Sequence, residues 1–361
     1  MEARFSVPVL CGQLIVGGFD GESLSPRFAK ALRAGKRGGA ILFKRNLPTV
    51  EHARQLTREI IDTARPDLPP FVALDEEGGR VSRLKSPVVR LPPMRRLAER
   101  SDAAFLESVG RVLGMQLAAC GFNLDFAPVL DVDTNPANPV IGDRSFAADA
   151  EAVSMAALAF YQGLSRSVLG CGKHFPGHGD TSTDSHFDLP TIEHGMDRLR
   201  QVELVPFVAA ARANVDAIMT AHILVRAIDP HVPATLSRAI CTDLLRRDIG
   251  FQGVLFSDDL EMKAVADRFP IEDSAVLAIE AGCDVLLVCR DEDAQERALD
   301  ALVHRAESDP AFLERCSEAV RRGLNARKRR VARPLDDEAE LRRVFAMSRE
   351  IEQRIEEKLA S

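Results

Sequence analysis

Short apolar runs alternate along most of the chain with longer stretches in which apolar positions recur every three or four residues. The runs at 12–19, 39–46, 71–77, 122–132, 169–175, 217–223, 253–259 and 284–289 are apolar at odd and even positions alike. That pattern predicts strands buried on both faces, as in a parallel sheet. Between them the spacing predicts helices. One runs from a Thr49 cap through Arg65, one from Ser101 to a terminating Gly121, and one from Asp149 through Val168. Others cover 196–213, 237–248 and 274–282. Eight strands in alternation with helices predict an α/β fold, a single-domain (β/α)8 TIM barrel, with a doubly wound open sheet as the alternative.

The barrel is favoured by where the polar groups fall. Asp75-Glu76-Glu77, Asp131 with Asp133, Lys173-His174, His222 and Ser257-Asp258-Asp259 each stand at the C-terminal end of a predicted strand. A barrel gathers those ends on one face. An open sheet would string them along an edge of roughly 40 Å, at about 4.8 Å per strand.

The last section, 294–361, reads as charged helix. Residues 1–330 are expected to form the barrel domain, and 331–361 a helical extension that packs on it or self-associates, giving a monomer or weak homodimer. The basic run Arg327-Lys328-Arg329-Arg330 is flanked by acidic residues, which predicts a solvated helix end. The N-terminal segment through Gly18 reads as the lead into the first strand.

Composition narrows the function classes. A formal charge of −7 without a basic block argues against nucleic acid. No stretch approaches ~18 uninterrupted apolar residues, so no membrane span is expected. Seven scattered cysteines without a CxxC pair predict reduced core residues of a cytoplasmic protein. No GxGxxG follows a strand and no P-loop is present, so nucleotide chemistry has no cradle.

The candidate chemistry concentrates in residues 173–190, KHFPGHGDTSTDSHFDLP. Pro176, Gly177 and Gly179 exclude both helix and regular strand, leaving a loop that holds three of the eight histidines. Asp184 and His186, two residues apart, suit an oriented general acid; an Asx-turn beside a surface histidine is the plain alternative. Asp258 and Asp259 follow an apolar run, and one of them can cap the helical turn after them; the pattern does not say which. Asp75 through Arg83 combines carboxylates, a Gly-Gly turn and two arginines, suited to a hydroxyl-rich ligand or to a salt-bridged turn. GDRSF (142–146) adds Arg144. His174, His178, Asp180, Asp184 and His186 could ligate a metal, but the His-x-x-x-His pair spans Pro and Gly and cannot act as a helical zinc pair; no metal and no cofactor are expected.

KHFPGHGDTxxDSH, with LDEEGGRV upstream, GDRSF between, and ATLSRAI and GVLFSDDLEM downstream, resembles the bacterial β-N-acetylglucosaminidases of glycoside hydrolase family 3. The resemblance runs in matching order from about residue 12 to 290. It implies a (β/α)8 enzyme that removes terminal β-linked N-acetylglucosamine from cell-wall (peptidoglycan) fragments in the cytoplasm, with a small carbohydrate as its partner. It further implies Asp258 as nucleophile and His186 as general acid/base, partnered by Asp184. Asp75, Arg83, Arg144, Lys173 and His174 would form the sugar-binding set. Glu76 stands where many family members have glutamine, a mild departure that could alter the charge of the site but touches no assigned role. Retaining glycoside cleavage needs an attacking carboxylate and a group that protonates the leaving oxygen, and both are available here. A β-glucosidase of the same family, and a sugar-binding barrel without turnover, are the alternatives.

Overall fold

The structure is a computed structural model and describes residues 5–182 and 189–360. Its strands are β1 (Ile15–Gly17), β2 (Gly39–Ile41), β3 (Phe71–Leu74), β4 (Leu124–Asp125), β5 (Leu169–Phe175), β6 (Thr191–Ile192), β7 (Ala217–Thr220), β8 (Leu224–Val225), β9 (Val254–Asp259) and β10 (Val285–Val288). Among the described residues, eight of them close a parallel barrel in the order β1-β10-β9-β7-β5-β4-β3-β2, and β6 pairs with β8 outside it. Closure is direct: Ile15, Val16 and Gly17 lie opposite Leu286, Leu287 and Val288.

The barrel interior is filled by alternate residues of each strand. Phe71, Phe126 and Phe256 meet edge to face, with ring centroids 5.3 Å apart in both contacts, and occupy the middle. Val16, Ile41, Leu169 and Val254 pack around them, while the intervening residues, such as Val72 and Leu255, belong to the larger cluster under the helices. Most strands are therefore apolar on both faces, which is why their runs in the sequence show no alternation.

The strands are shorter than the apolar runs. Pro128 interrupts the regular strand after β4, but the chain continues beside β5: the Ala127 and Pro128 carbonyls accept from Cys171 N (2.9 Å) and Lys173 N (3.1 Å), and Leu130 N donates to the Lys173 carbonyl (2.6 Å). The segment before β1 is a helix, Val7–Gly12, rather than an extended lead-in: Pro8 sits in its first turn, where the missing N–H costs nothing. The region 196–213 divides into helices Met196–Gln201 and Val205–Arg212, with Pro206 opening the second. Residues 239–248 wind as a π-helix.

Lys328 and Arg329 are exposed, as expected of a solvated basic end, but Arg327 is not. Helix Pro310–Arg329 crosses the barrel floor, and Arg327 on it is 0% exposed. Its Nη1 donates to Gln13 Oε1 (2.9 Å) and to the Gly38 carbonyl (2.8 Å), and its guanidinium lies 5.0 Å from the Phe71 ring centroid. Two carbonyl acceptors and an aromatic face compensate a charge that local sequence alone places in solvent. Helix Glu338–Ala360 packs on the long helix Ala103–Ala119, where Gln116 Nε2 donates to Ser348 Oγ at 2.7 Å.

Asp102, whose side chain accepts from Phe105 N, caps that long helix, and the helix ends at Gly121, φ +91°. A Cβ there would lie 2.4 Å from Thr57 Oγ1, which bonds the Cys120 carbonyl at 2.7 Å. Gly121→Ala combines an unfavourable φ with that clash, so it should lower the unfolding free energy by more than ~1 kcal/mol. Urea denaturation checks this; an unchanged midpoint contradicts it.

Candidate active site

Period-two alternation carries the interior sides of three strands up to polar groups at the barrel mouth. Phe71 and Ala73 point inward on β3, and the same side continues into Asp75 and Glu77. On β5, Leu169 and Cys171 lead to Lys173; on β9, Val254 and Phe256 lead to Asp258. These groups line one open cavity of about 250 Å³, with Arg83, Arg144, His174, His178 and Asp259. Apolar residues, among them Ile41, Phe43, Met219 and Leu287, complete the lining.

Lys173 is the buried centre of the charged side. Its Nζ lies 2.7 Å from Asp75 Oδ1 and 2.5 Å from Glu77 Oε1. Arg83 Nη2 reaches the other oxygen of Asp75 at 3.0 Å, and Arg144 grips Glu77 with two bonds of 2.8 Å. Burial alone would raise both carboxyls, but Lys173 and Arg83 hold Asp75 below its usual range, and Arg144 and Lys173 hold Glu77 far below it. Burial alone would likewise lower the Lys173 ammonium, yet Asp75 and Glu77 raise it. The cluster is thus fully ionised at neutral pH, three cations against two anions.

A second buried carboxylate, Asp131, organises the histidines. Its Oδ2 lies 2.7 Å from His174 Nδ1, and its Oδ1 accepts the His178 N–H at 2.6 Å. Burial opposes ionisation of Asp131, and the neighbouring His174 and His178 overcome it. The Nδ1 contact with Asp131 fixes the orientation of the His174 ring. Burial pushes His178 down to about 4, so its ring is neutral at pH 7. Its Nδ1 bonds Thr181 Oγ1 at 2.7 Å.

The two adjacent acids on β9 have different partners. Asp259 Oδ1 accepts the N–H groups of Glu261 (3.1 Å) and Cys289 (3.2 Å), tying the turn after β9 to β10. Burial, with Glu261 and Asp258 nearby, raises its carboxyl to about 7. Asp258 Oδ1 accepts the Asp259 N–H at 2.8 Å. Asp259 therefore braces the backbone, while Asp258 ends the inward side of the strand.

The structure brings Asp75, Arg83, Arg144, Lys173, His174 and Asp258 into one cavity. Asp184 and His186 lie outside the described residues. Glu76 departs from expectation: it is absent from the cavity lining, and its Oε2 accepts the N–H groups of Arg83 (2.7 Å) and Leu84 (3.0 Å), so it pins the turn that presents Arg83. Asp133 turns away to Arg95 at 2.9 Å, and His222 bonds the Asp259 carbonyl at 2.8 Å. Glu77, His178 and Asp131 had no assigned role in the sequence reading. Glu77 shares Asp75's side of the chain, which was the available signal; Asp131 is recognisable only from its contacts.

An apolar barrel capped at the C-terminal ends of its strands by a carboxylate, fixed cations and histidines is the architecture of a (β/α)8 enzyme with a polar small-molecule substrate. The chain belongs to glycosyl hydrolase family 3, whose N-terminal domain model matches residues 11–326, and it is a glycoside hydrolase. A β-hexosaminidase of Chromobacterium violaceum is 44% identical over 272 residues, 73% of this chain and 75% of that protein. Among solved structures, a glycoside hydrolase family 3 β-N-acetylglucosaminidase from Paenibacillus superposes with a TM-score of 0.88 at 36% identity, covering 97% of this chain and 69% of that one. NagZ from Neisseria gonorrhoeae, in complex with N-trifluoroacetyl-D-glucosamine, gives 0.75 at 33% identity, covering 94% and 98%.

The ion cluster makes a stability prediction. Glu77 is ionised far below its ordinary 4.5 in the folded chain, so its contribution is complete above pH ~4.5 and drains as pH falls toward the folded value. Glu77→Gln leaves Lys173 and Arg144 short of a charge and should cost about 3 kcal/mol or more at pH 7. The gap from wild type should narrow below pH ~4.5. Urea unfolding between pH 7 and pH 3 checks this, and a gap that does not change with pH contradicts it.

Proposed function

We propose that the enzyme is a retaining exo-β-N-acetylglucosaminidase that releases terminal β-linked N-acetylglucosamine from peptidoglycan fragments in the cytoplasm. The observation that carries this reading is the position of Asp258: a carboxylate at the end of an inward-facing strand side, sharing one cavity with the Lys173–Asp75–Glu77 cluster. A sugar ring presents hydroxyl and acetamide oxygens on its edge and C–H groups on its faces. The cavity offers both complements, charged donors and acceptors together with apolar Phe43, Met219 and Leu287. Lys173 has three N–H donors and the carboxylates engage two, which leaves one for a substrate oxygen. His174 Nε2 can hydrogen-bond a hydroxyl.

In the first step Asp258 attacks the anomeric carbon, and the leaving oxygen takes a proton from His186, which Asp184 orients. The C–O bond to the leaving group breaks as the bond to Asp258 forms, giving a glycosyl ester. In the second step His186 removes a proton from water, and that water displaces Asp258 with the original configuration restored. Asp75, Arg83, Arg144, Lys173 and His174 hold the sugar through both steps.

The β-hexosaminidase names of the curated relatives and the amino-sugar in the Neisseria gonorrhoeae neighbour support N-acetylglucosamine as the sugar. The seven free, buried cysteines fit a reducing compartment. No helix among the described residues is long and apolar enough to cross a membrane.

Paired aryl β-glycosides test the proposal. The N-acetylglucosaminide should exceed the glucoside by at least ~100-fold in kcat/KM, because groups placed for an acetamide are left unpaired without it. The first product seen by NMR should be the β-anomer. Equal rates on the two sugars, or an α-anomer first, would overturn it.

A further inference from the structure

Beyond the groups that face the sugar, the described residues on either side of Asp184 and His186 are anchored to different parts of the barrel mouth. On the N-terminal side, Asn138 Nδ2 donates to the carbonyls of His178 (2.8 Å) and Gly179 (3.1 Å), and Asn135 Nδ2 to that of Thr181 (3.2 Å). The approach is close: a Cβ on Gly179 would sit 1.8 Å from the Val132 carbonyl. This arm is fixed to the loop that follows β4. On the C-terminal side, Leu224 N donates to the Pro190 carbonyl at 2.8 Å, and β6 pairs with β8. That arm is fixed to the segment that follows β7.

One pair joins the two arms directly. His194 Nε2 lies 2.6 Å from Asp180 Oδ2, fourteen positions away, while Thr134 Oγ1 donates to Asp180 Oδ1 at 2.8 Å. Each oxygen of Asp180 is therefore committed, one to the β4 loop and one to the opposite arm. Neither Asp180 nor His194 lines the cavity. Cross-linking the ends of a segment removes conformations from everything between them. The residues between them include Asp184 and His186.

We propose that the Asp180–His194 pair, with Thr134, is a positioning clasp that sets the reach of the acid/base residues; this rests on His186 acting as the acid under the function proposed above. Misplacing an acid is felt where the leaving oxygen needs a proton and is hidden where it does not. The consequence is a defect specific to the leaving group rather than to the sugar.

The test compares a β-linked N-acetylglucosamine disaccharide with a dinitrophenyl N-acetylglucosaminide. His194→Ala should lower kcat on the disaccharide by ~10-fold or more, with less than ~2-fold loss on the aryl substrate and unchanged inhibition by N-acetylglucosamine. His194→Gln, whose amide N–H can still reach Asp180, should recover most of the loss and keeps the test decisive if the alanine variant folds poorly. Equal losses on both substrates, or no loss on either, overturn the clasp. His186→Ala run alongside separates the two ideas. A disaccharide-specific loss in His186→Ala but not in His194→Ala removes the clasp alone, whereas equal losses in His186→Ala remove the acid assignment and the clasp with it.

Discussion

The site depends on one buried ammonium. Lys173 sits between Asp75 and Glu77, each held on its far side by an arginine. An isolated ammonium or carboxylate at that depth would be neutralised or expelled, since its desolvation costs several kcal/mol. Alternating charges at hydrogen-bond distance make the burial tolerable, and they also fix the geometry. Asp75 stands at the end of β3, Arg83 beyond the Gly-Gly turn, Arg144 in the turn 142–144 and Lys173 on β5. Three regions far apart in sequence, 75–83, 142–144 and β5, are thereby held to one register around the mouth.

That arrangement is possible because the barrel below is dry and full. Three phenylalanine rings occupy the middle, and Arg327 with Gln13 seals the floor. With the interior closed from below, each inward strand side has one outlet, the C-terminal face. Asp75, Lys173 and Asp258 are each the next inward position above an apolar pair. The two acids of β9 both reach the cavity, but Asp259 spends one oxygen on the backbone of the following turn and of β10, whereas Asp258 ends the inward side of the strand.

Much of this was legible in the sequence, and the exceptions have physical causes. The eight apolar runs mark the eight barrel strands because burial on both faces keeps them continuous. The same continuity hid the inward side of β9, so Asp258 and Asp259 could not be separated by alternation. At β4 the regular strand is shorter than the apolar run because Pro128 interrupts it, although Ala127, Pro128 and Leu130 still bond the backbone of β5. The Val7–Gly12 helix has six residues and owes its form to packing on helices Glu292–Ser308 and Pro310–Arg329, which no local pattern reveals. Arg327 looked solvated because its neighbours Lys328 and Arg329 are exposed; its acceptors, Gln13 and Gly38, lie some three hundred positions away. Glu76 was read as a charge in the site, whereas its carboxylate faces backbone N–H groups seven and eight positions on.

In the proposed mechanism Asp258 is the group that bonds to the sugar. Incubation with a slow fluorinated N-acetylglucosaminide, followed by proteolysis and mass spectrometry of the trapped enzyme, reads this directly. The predicted result is one sugar on the peptide containing residues 254–262, with fragmentation placing it on Asp258. A label on Asp259 would contradict the division of roles between the two acids. Turnover without any trapped ester would mean that the substrate's own acetamide oxygen attacks, as in substrate-assisted glycosidases, and the central claim would fall.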